Sequence, residues 1–237
     1  MSAPHFVALI CAAGVGARAG GDTPKQYKVF AGAPLIAHTI GAMGQHPRVA
    51  RIVVAISETD GWMTEISEKE TSARLQILRT GGASRAETVR NTLVALRAEF
   101  GDETWVLVHD AARCCITPAL IDRLIVACER DACGGLLALP APDTLKQSNL
   151  ENRSVSTIDR SHVWYAQTPQ MFRLGELLDA LSTADLATVT DEASAMEQAG
   201  FSPKLVLGAP TNLKVTYPED FLLAEAILCH AAQSRPG

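Results

Sequence analysis

The sequence lacks two features that would point to a membrane or a nucleic-acid partner: a long apolar run and an excess of positive charge. Its 21 Lys and Arg residues are outnumbered by 26 Asp and Glu, which gives a formal net charge of −5 at pH 7. A basic face for nucleic acid is therefore not expected, although anionic small molecules remain possible ligands. No apolar run approaches the ~20 residues that span a bilayer, and no basic segment precedes the first one, so neither a membrane span nor a secretory signal is predicted.

Cysteine is also sparse, with six residues scattered along the 237-residue chain. They show neither the paired spacing of a zinc site nor the density of a disulfide scaffold. We expect reduced thiols that act as small buried hydrophobic side chains, which indicates a cytoplasmic protein. The hydrophobic fraction of 47% is ample for a sizeable core. Because no linker divides the chain, a single domain over residues 1–237 is predicted.

Apolar runs alternate with amphipathic segments, a pattern that predicts a parallel sheet flanked by helices. Strands are predicted at residues 6–11, 51–56, 75–78, 105–108, 134–139 and 205–207. Helices are predicted at residues 34–43, 62–69, 84–98, 118–130 and 219–230. The alternation fails between Pro140 and Gln170, where prolines and asparagines surround two short β-like runs. We interpret this segment as an inserted hairpin arm at about residues 140–165, and expect it to pair with a second copy in a homodimer.

A glycine-rich segment directly follows the first predicted strand, and residues 11–27 read CAAGVGARAGGDTPKQY. Glycines such as Gly14 and Gly16 let backbone N–H groups face an anion without a Cβ in the way. Arg18 and Lys25 add positive charge that backbone dipoles do not supply. The carboxyl end of a parallel strand is also where open α/β sheets bind ligands, so this loop predicts a triphosphate cradle.

Two other interpretations of the loop stay open. Gly14-x-Gly16-x-x-Ala19 fits the loose form of the dinucleotide-binding fingerprint. Against it, residues 20–24 prolong the loop, whereas a dinucleotide loop runs directly into a helix, and no acidic residue for a ribose stands roughly twenty residues past Gly14. The remaining interpretation is a glycine-rich turn that carries two solvated cations.

The segment VHDAAR, residues 108–113, begins at the end of another predicted strand. Asp110 is thereby delivered to the same edge of the sheet as the glycine loop. An aspartate at that edge suits Mg²⁺, which prefers carboxylate and phosphate oxygens, and Arg113 lies close enough to reach an anionic group. The competing interpretation is Asp110 as a helix N-cap with Arg113 as its solvated neighbour.

The segment GGASRAET, residues 81–88, also follows a predicted strand and opens a helix. Its two glycines permit close approach to a planar ring, and Ser84, Arg85 and Thr88 offer groups that can read a base edge. The alternative is plain helix entry, with Ser84 as N-cap and Glu87 completing a capping box. Both interpretations can hold together.

Further polar segments lie in or near the arm and before the last helix. Thr144 and Arg160 suit a phosphate only if the arm brings them to a site, and otherwise they are ordinary surface residues. Thr190 and Asp191 resemble an N-capped helix start. Lys214 adds a cation just before the final helix. The alternative is an ordinary solvent-exposed lysine with no role in a site.

In their order and spacing, these segments resemble the 2-C-methyl-D-erythritol 4-phosphate cytidylyltransferase family. The matching segments are AAGVGARAG, TPKQY, GGASRAETV, LVHDAAR, DTLK, AQTPQMF, VTDEASAME and NLKVTYPED. The resemblance implies an α/β, Rossmann-like nucleotidyltransferase fold: a mostly parallel twisted sheet flanked by helices, with a protruding β-arm that joins a homodimer. It also implies Mg²⁺-dependent transfer of CMP from CTP to methylerythritol phosphate in the non-mevalonate isoprenoid pathway, with release of diphosphate.

The resemblance assigns roles to individual residues. It assigns catalytic roles, in contact with the phosphates, to the cations Arg18, Lys25 and Lys214. CTP binding falls on Ala12, Ala13, Gly14, Gly16, Gly82, Ala83, Arg85, Thr88 and Asp110, and Asp110 is also the metal-side carboxylate. Methylerythritol phosphate binding falls on Arg113, Thr144, Arg160, Thr168 and Thr190, with Thr144 and Arg160 reaching in from the partner's arm.

Two positions depart from the family pattern: Cys114 stands where proline is common, and Thr211 where an acidic residue is often found. Because the chain ends at Gly237, soon after the last predicted helix, we expect the cytidylyl step without a fused cyclodiphosphate synthase domain. Two alternatives stay open. One is a cytidylyltransferase acting on ribitol 5-phosphate, which would share the CTP half. The other is a catalytically silent nucleotide-binding protein on the same fold.

Overall fold

The computed structural model describes residues 6–14, 23–69 and 73–233. Its strands are β1 (Phe6–Cys11), β2 (Val29–Phe30), β3 (Ala33–Pro34), β4 (Val49–Ile56), β5 (Leu75–Arg79), β6 (Trp105–Asp110), β7 (Gly135–Pro140), β8 (Leu145–Ser148), β9 (Ser154–Ile158), β10 (Trp164–Arg173) and β11 (Lys204–Leu207). Its helices are α1 (Leu35–Gly44), α2 (Met63–Lys69), α3 (Arg85–Phe100), α4 (Pro118–Cys128), α5 (Leu174–Thr183), α6 (Glu192–Gln198) and α7 (Pro218–Gln233), and a short 3₁₀ turn covers Lys25–Tyr27.

A seven-stranded sheet organises these elements in the order β11-β7-β10-β6-β1-β4-β5. All neighbouring pairs are parallel except those of β10, which runs antiparallel to both β6 and β7. Strand β1 is buried on both faces, because Phe6, Ala8 and Ile10 pack into one apolar cluster and Val7 and Leu9 into the other. The two clusters explain why this strand reads as an unbroken apolar run.

Helices cover each face of the sheet through their apolar stripes. On one face, α1 and α4 contribute buried residues such as Ile40 and Leu124. On the other, α3 and α5 contribute residues such as Leu93 and Leu181. The predicted alternation of strand and helix is thus confirmed, with ends that shift by a few residues: β4 begins at Val49 rather than at residue 51.

The structure departs from the sequence-based prediction between residues 140 and 170. The hairpin arm is confined to β8 and β9, whereas β10 enters the main sheet between β7 and β6. The predicted arm at about residues 140–165 contains this hairpin, but the irregular stretch that follows it up to Gln170 belongs to the main sheet. That stretch does not read as a strand because β10 carries buried polar residues in place of alternating apolar ones. Gln167, Thr168 and Gln170 are all buried. Pairing with β7 also slips in register between Ala166 and Gln170, around a proline that has no N–H to donate.

The cysteines behave largely as small apolar side chains. All six are free thiols, and Cys114, Cys115, Cys128 and Cys133 are buried, whereas Cys229 is exposed. Cys114 and Cys115 pack with Leu35, Val215 and Ala224 in a third apolar cluster, next to α7.

Within the part of the chain that the structure describes, no helix combines the length and apolar character of a bilayer-crossing segment.

Candidate active site

A cavity of about 440 Å³ opens at the carboxyl ends of β1, β5 and β6, the edge at which open α/β sheets bind ligands. The residues predicted from sequence that line it are Ala12, Ala13, Gly14, Lys25, Gly82, Ala83, Arg85, Thr88, Asp110 and Lys214. The fold thus brings together segments from the two ends of the chain. Gly16 and Arg18, also predicted for this site, lie outside the described residues.

Gln26 fixes the start of the phosphate loop. Its side-chain Nε2 donates hydrogen bonds to the carbonyl oxygens of Ala12 and Gly14, both at 2.9 Å, and the residue is only 6% exposed. Next to it, Lys25 Nζ donates to the carbonyl oxygen of Val215 at 2.5 Å. This contact ties the loop to the segment that carries Lys214. The role of Gln26 was not predictable from the sequence pattern, because its partners are backbone carbonyls of another segment.

The second loop is braced by its own side chains. Ser84 caps α3, accepting from the N–H of Glu87 at 3.1 Å, and Glu87 Oε2 accepts from the N–H of Ala83 at 2.8 Å. Helix entry with Ser84 as N-cap is therefore confirmed. The Thr88 hydroxyl donates to the carbonyl of Ser84 and accepts from the N–H of Gly82, both at 3.0 Å. Thr88 thereby holds the loop against the first turn of the helix.

Gly81 is the residue that lets the two loops touch. A Cβ at this position would lie 2.8 Å from the Cβ of Ala13 and 2.9 Å from the Cα of Ser57. We expect Gly81→Ala to lower the free energy of unfolding by about 1–3 kcal/mol, because both neighbours are held by backbone, and to weaken CTP binding. Denaturant unfolding and CTP titration calorimetry would measure the two effects.

Gly41→Ala is the matched control for that substitution. Gly41 lies inside α1, and a Cβ there meets nothing within 4 Å, so alanine should stabilise the helix by about 0.5–1 kcal/mol. Equal stability and CTP affinity in the two variants would contradict the packing role of Gly81.

Asp110 ends β6 and lies among three cations. Its Oδ1 accepts from Arg85 Nε at 2.9 Å and its Oδ2 from Lys214 Nζ at 2.9 Å, while Arg113 Nε lies 3.7 Å from Oδ2. Burial alone would raise the pKa of Asp110, but Arg85, Lys214 and Arg113 outweigh burial and hold that pKa well below its usual range. The helix N-cap interpretation is wrong, because α4 begins at Pro118 and its N-cap is Thr117.

The guanidinium of Arg85 is shared between two carboxylates. Besides Asp110, it binds Glu192 in two-pronged fashion, with Nη1 2.6 Å from Oε1 and Nη2 3.0 Å from Oε2. Burial alone would lower the pKa of Arg85, but the attraction of Glu192 and Asp110 raises it well above the ordinary value. Burial raises the pKa of Glu192, which is 1% exposed, and the charge of Arg85 opposes that rise. Arg85 thus positions Asp110, a role that the sequence analysis did not foresee.

Arg113 and Thr168 complete the neighbourhood of Asp110. Arg113 is buried and donates to the carbonyl oxygens of Asn212 at 2.8 Å and Ala166 at 3.3 Å, so its interpretation as a solvated neighbour is wrong. Asn212, fully buried, in turn donates to the carbonyl of Thr168 at 2.9 Å. Sequence reasoning missed Asn212 because a buried asparagine is recognisable only from the backbone groups around it.

His109 lies directly before Asp110 in β6. Burial lowers its pKa to about 4, outweighing the opposing attraction of Asp110, so the ring is neutral near pH 7. Its two nitrogens face Arg113 and Thr168.

None of the five predicted substrate residues lines this cavity. Arg113 and Thr168 are buried beside Asp110, and the other three are exposed elsewhere. Thr144 and Arg160 lie exposed at the base of the arm, and Arg160 Nη1 donates to the carbonyls of Ala141 and Pro142 at 2.8 and 2.7 Å. Thr190 is exposed beside α6, where its N–H donates to Ser194 Oγ at 3.0 Å. The structure of one chain therefore does not gather these three residues into the site.

Comparison with known proteins identifies relatives over most of the chain. The family model described as IspD, 2-C-methyl-D-erythritol 4-phosphate cytidylyltransferase, matches residues 6–230. The chain is 53% identical over 226 residues to the bifunctional enzyme IspD/IspF of Albidiferax ferrireducens, covering 95% of this chain but only about half, 53%, of that relative. It is 50% identical over 222 residues to the 2-C-methyl-D-erythritol 4-phosphate cytidylyltransferase of Laribacter hongkongensis, covering 94% and 95% of the two chains.

Solved structures show the same fold. A crystal structure of 4-diphosphocytidyl-2C-methyl-D-erythritol synthase superposes with a TM-score of 0.85 at 36% identity, covering 95% of this chain and 99% of that one. The 2-C-methyl-D-erythritol 4-phosphate cytidylyltransferase (IspD) of Francisella tularensis superposes with a TM-score of 0.81 at 33% identity, covering 94% and 99%. The predicted α/β, Rossmann-like nucleotidyltransferase fold is confirmed.

Proposed function

The chain belongs to the 2-C-methyl-D-erythritol 4-phosphate cytidylyltransferase family, and we propose that the cavity at the carboxyl edge of its sheet is the active site. The enzyme transfers CMP from CTP to 2-C-methyl-D-erythritol 4-phosphate in isoprenoid synthesis, with release of diphosphate. The observation that carries this assignment is that distant segments meet at one cavity. Residues 12–14 at the start of the glycine loop, Gly82 and Asp110 all line it together with Lys25 and Lys214.

The reaction requires stabilisation of negative charge in the transition state more than it requires proton transfer. An oxygen of the substrate phosphate attacks the α-phosphorus of CTP, and the bond from that phosphorus to the bridging oxygen breaks, so that diphosphate leaves. A phosphate monoester is already largely dianionic near neutral pH and needs no general base. Lys25, Lys214 and the N–H groups of the glycine loop would neutralise negative charge that builds up around the α-phosphorus.

Asp110 fits the role of a Mg²⁺ ligand. Its depressed pKa keeps it ionised, and each oxygen that accepts one hydrogen bond retains lone-pair capacity for a cation. Mg²⁺ usually takes one or two carboxylates together with phosphate oxygens and water. Among residues 6–14, 23–69 and 73–233, no group of three or more His, Cys, Asp or Glu is arranged to hold a metal. A cation held by Asp110 would complete its coordination with oxygens of CTP and water, and it would offset charge on the triphosphate.

Asp110→Asn should raise the Mg²⁺ concentration for half-maximal activity by about 10-fold or more, because a neutral amide oxygen binds a hard cation less strongly than a carboxylate. A Mg²⁺ titration of the initial rate at saturating CTP measures this. Asp131→Asn is the control, since Asp131 Oδ1 accepts from the N–H groups of Cys133 and Gly134, away from the cavity. An unchanged Mg²⁺ requirement in Asp110→Asn would remove Asp110 from the metal site.

We also propose that the arm joins a homodimer. The hairpin of β8 and β9 exposes Leu150, Val155 and Ile158 at 104%, 59% and 43%. An isolated two-stranded hairpin is marginally stable in water, so these apolar side chains favour packing against a second copy. Such packing would carry Thr144 and Arg160 toward the partner's cavity, which neither residue reaches in its own chain.

Arm crossing predicts complementation between two inactive variants. Arg160→Ala damages the arm and Arg113→Ala damages the body of the site, so each homodimer should be impaired. After subunit exchange of an equal mixture, heterodimers contain one intact site, and about a quarter of wild-type activity should return. Diphosphate release before and after confirmed exchange measures the recovery. No rescue would count against arm crossing.

The activity itself is tested by incubating the protein with CTP, Mg²⁺ and either methylerythritol 4-phosphate or ribitol 5-phosphate. Diphosphate release with methylerythritol phosphate alone is expected. Release with ribitol phosphate instead would move the chain to that related activity. CTP-dependent thermal stabilisation without diphosphate release in the presence of either polyol phosphate would indicate a binding protein.

We further propose a cytoplasmic location, which the six free thiols support.

A further inference from the structure

Cys114 and Cys115 form a pair of neighbouring thiols beside a second cavity. Their sulfur atoms lie 3.9 Å apart, and their side chains are 1% and 2% exposed. The cavity, of about 560 Å³, lies between α1, α7 and the segment that follows β6, and both thiols line it together with Cys229. A small molecule that enters this cavity therefore meets two thiols that are otherwise shielded from solvent.

Hydrogen bonds give the two sulfur atoms different roles. Cys115 donates to the carbonyl oxygen of Ala224 at 3.7 Å, which leaves its sulfur to accept the S–H of Cys114. That hydrogen bond lowers the pKa of Cys115, whereas burial opposes the fall. Because the thiolate is the reactive form of cysteine, Cys115 is the nucleophile of the pair and Cys114 is its resolving partner.

We propose that Cys114 and Cys115 are a site of reversible oxidation by a small peroxide. The Cys115 thiolate attacks one oxygen of hydrogen peroxide, and the O–O bond breaks. The hydroxide that leaves takes up the proton that Cys115 had lost, and a sulfenic acid remains on Cys115. Cys114 then gives up its proton and attacks that sulfur, the S–O bond breaks, and the departing hydroxide takes up the proton as water. In all, the two thiols lose two electrons and two protons, and one peroxide becomes two waters.

A disulfide between adjacent residues is strained and therefore easy to reduce. Consecutive Cα atoms lie about 3.8 Å apart across a trans peptide, which is shorter than the about 4.4–6.8 Å that disulfides usually span. Strain raises the reduction potential of a disulfide, which is typical of regulatory and not of structural disulfides. Small thiols would then restore the reduced pair.

The thiol pair lies next to the backbone that holds Lys25 in the active site. Cys114, Cys115 and Val215 share one apolar cluster, and the carbonyl oxygen of Val215 accepts from Lys25 Nζ at 2.5 Å. Closing the two sulfur atoms from 3.9 Å to about 2 Å has to shift side chains in this close-packed cluster.

Oxidation is therefore expected to disturb the anchor of Lys25. The Kd for CTP should rise by about 10-fold or more, the usual cost of losing a hydrogen bond to a charged group. This consequence rests on the proposed function, which places CTP in the cavity that Lys25 lines. The oxidation itself does not depend on that function.

Mass spectrometry of the wild-type protein tests the oxidation. Trypsin releases residues 114–123, CCITPALIDR, as one peptide that holds both thiols and no other cysteine. After treatment with hydrogen peroxide and then with iodoacetamide under denaturing conditions, this peptide should carry no alkyl group and should be two hydrogen atoms lighter than its dithiol form. Dithiothreitol added before the iodoacetamide should restore alkylation of both thiols. Alkylation of both thiols after peroxide alone, or a cross-link from this peptide to Cys229, would overturn the proposal.

CTP titration calorimetry before and after peroxide tests the consequence for the active site. Cys114→Ala and Cys115→Ala should keep their CTP affinity after peroxide, whereas wild type should lose it. Cys128→Ala is the matched control, since Cys128 is a buried thiol that lines neither cavity, and it should lose affinity as wild type does. An equal loss in Cys114→Ala would overturn the proposed link, because a different thiol, such as Cys11 in the active-site cavity, would then be responsible.

Failure of the proposed function gives a different result from failure of this proposal. If reduced wild-type protein releases no diphosphate, the proposed function fails, while the mass of the peptide still decides whether the disulfide forms. If one of the two alanine variants does not fold, the other variant decides whether the thiol pair controls CTP binding.

Discussion

Replacing Lys25 with methionine is expected to lower kcat by about 10²–10³-fold, the usual effect of removing one preorganised group that stabilises transition-state charge. Lys25 lines the cavity beside Gly14, and its Nζ is held 2.5 Å from the carbonyl of Val215. That anchor keeps the ammonium at the wall of the site. Methionine fills similar volume but does not donate to the carbonyl of Val215, so stability has to be measured alongside turnover.

Lys28→Met is the matched control for Lys25→Met. Lys28 lies three residues further along, at the end of the same 3₁₀ turn, and does not line the cavity. Its kcat should stay within about twofold of wild type, since substitutions away from the site usually change little. Single-turnover diphosphate release and denaturant unfolding should be measured for both. A kcat for Lys25→Met equal to that of Lys28→Met would remove Lys25 from catalysis.

Residues that directly follow apolar strands were predictable from sequence. Gly14 and Asp110 come just after or at the end of β1 and β6, and the carboxyl ends of parallel strands meet at one edge of a sheet. Their meeting in one cavity needed only the strand assignment and the rule for such sheets. Lys214 was assigned through the family resemblance, and the structure places its Nζ 2.9 Å from Asp110.

Residues defined by distant partners were not predictable in the same way. Glu192 opens α6 and reads as an ordinary acidic residue in the first turn of a helix, where the helix dipole favours it. Its ion pair with Arg85 joins residues 107 positions apart. Strand β10 was missed for a related reason, because its buried glutamines and threonine are satisfied by other elements. Gln170, for example, bonds Asp191 and the N–H of Ala193.

Glu192→Gln is expected to lower the free energy of unfolding by about 1–3 kcal/mol, because the half-buried guanidinium of Arg85 loses its principal counter-charge. Arg85 would keep only Asp110 as an ionic partner, and its shift toward that carboxylate should also lower kcat. Glu197→Gln is the control on the same helix, since Glu197 is exposed, and it should change stability by less than about 0.5 kcal/mol. Urea unfolding and steady-state kinetics measure both variants.

Replacing both partners separates the structural part of this ion pair from its functional part. Arg85→Met with Glu192→Met removes both charges, and buried ion pairs exchanged for apolar residues of similar volume are often neutral in stability. The double variant should therefore regain much of the stability that Glu192→Gln loses. Its activity should stay low, because Asp110 Oδ1 loses the donor that Arg85 supplies at 2.9 Å. Stability and activity recovering together would show that Arg85 serves the fold alone. Recovery of stability without activity would show that Arg85 also serves the site.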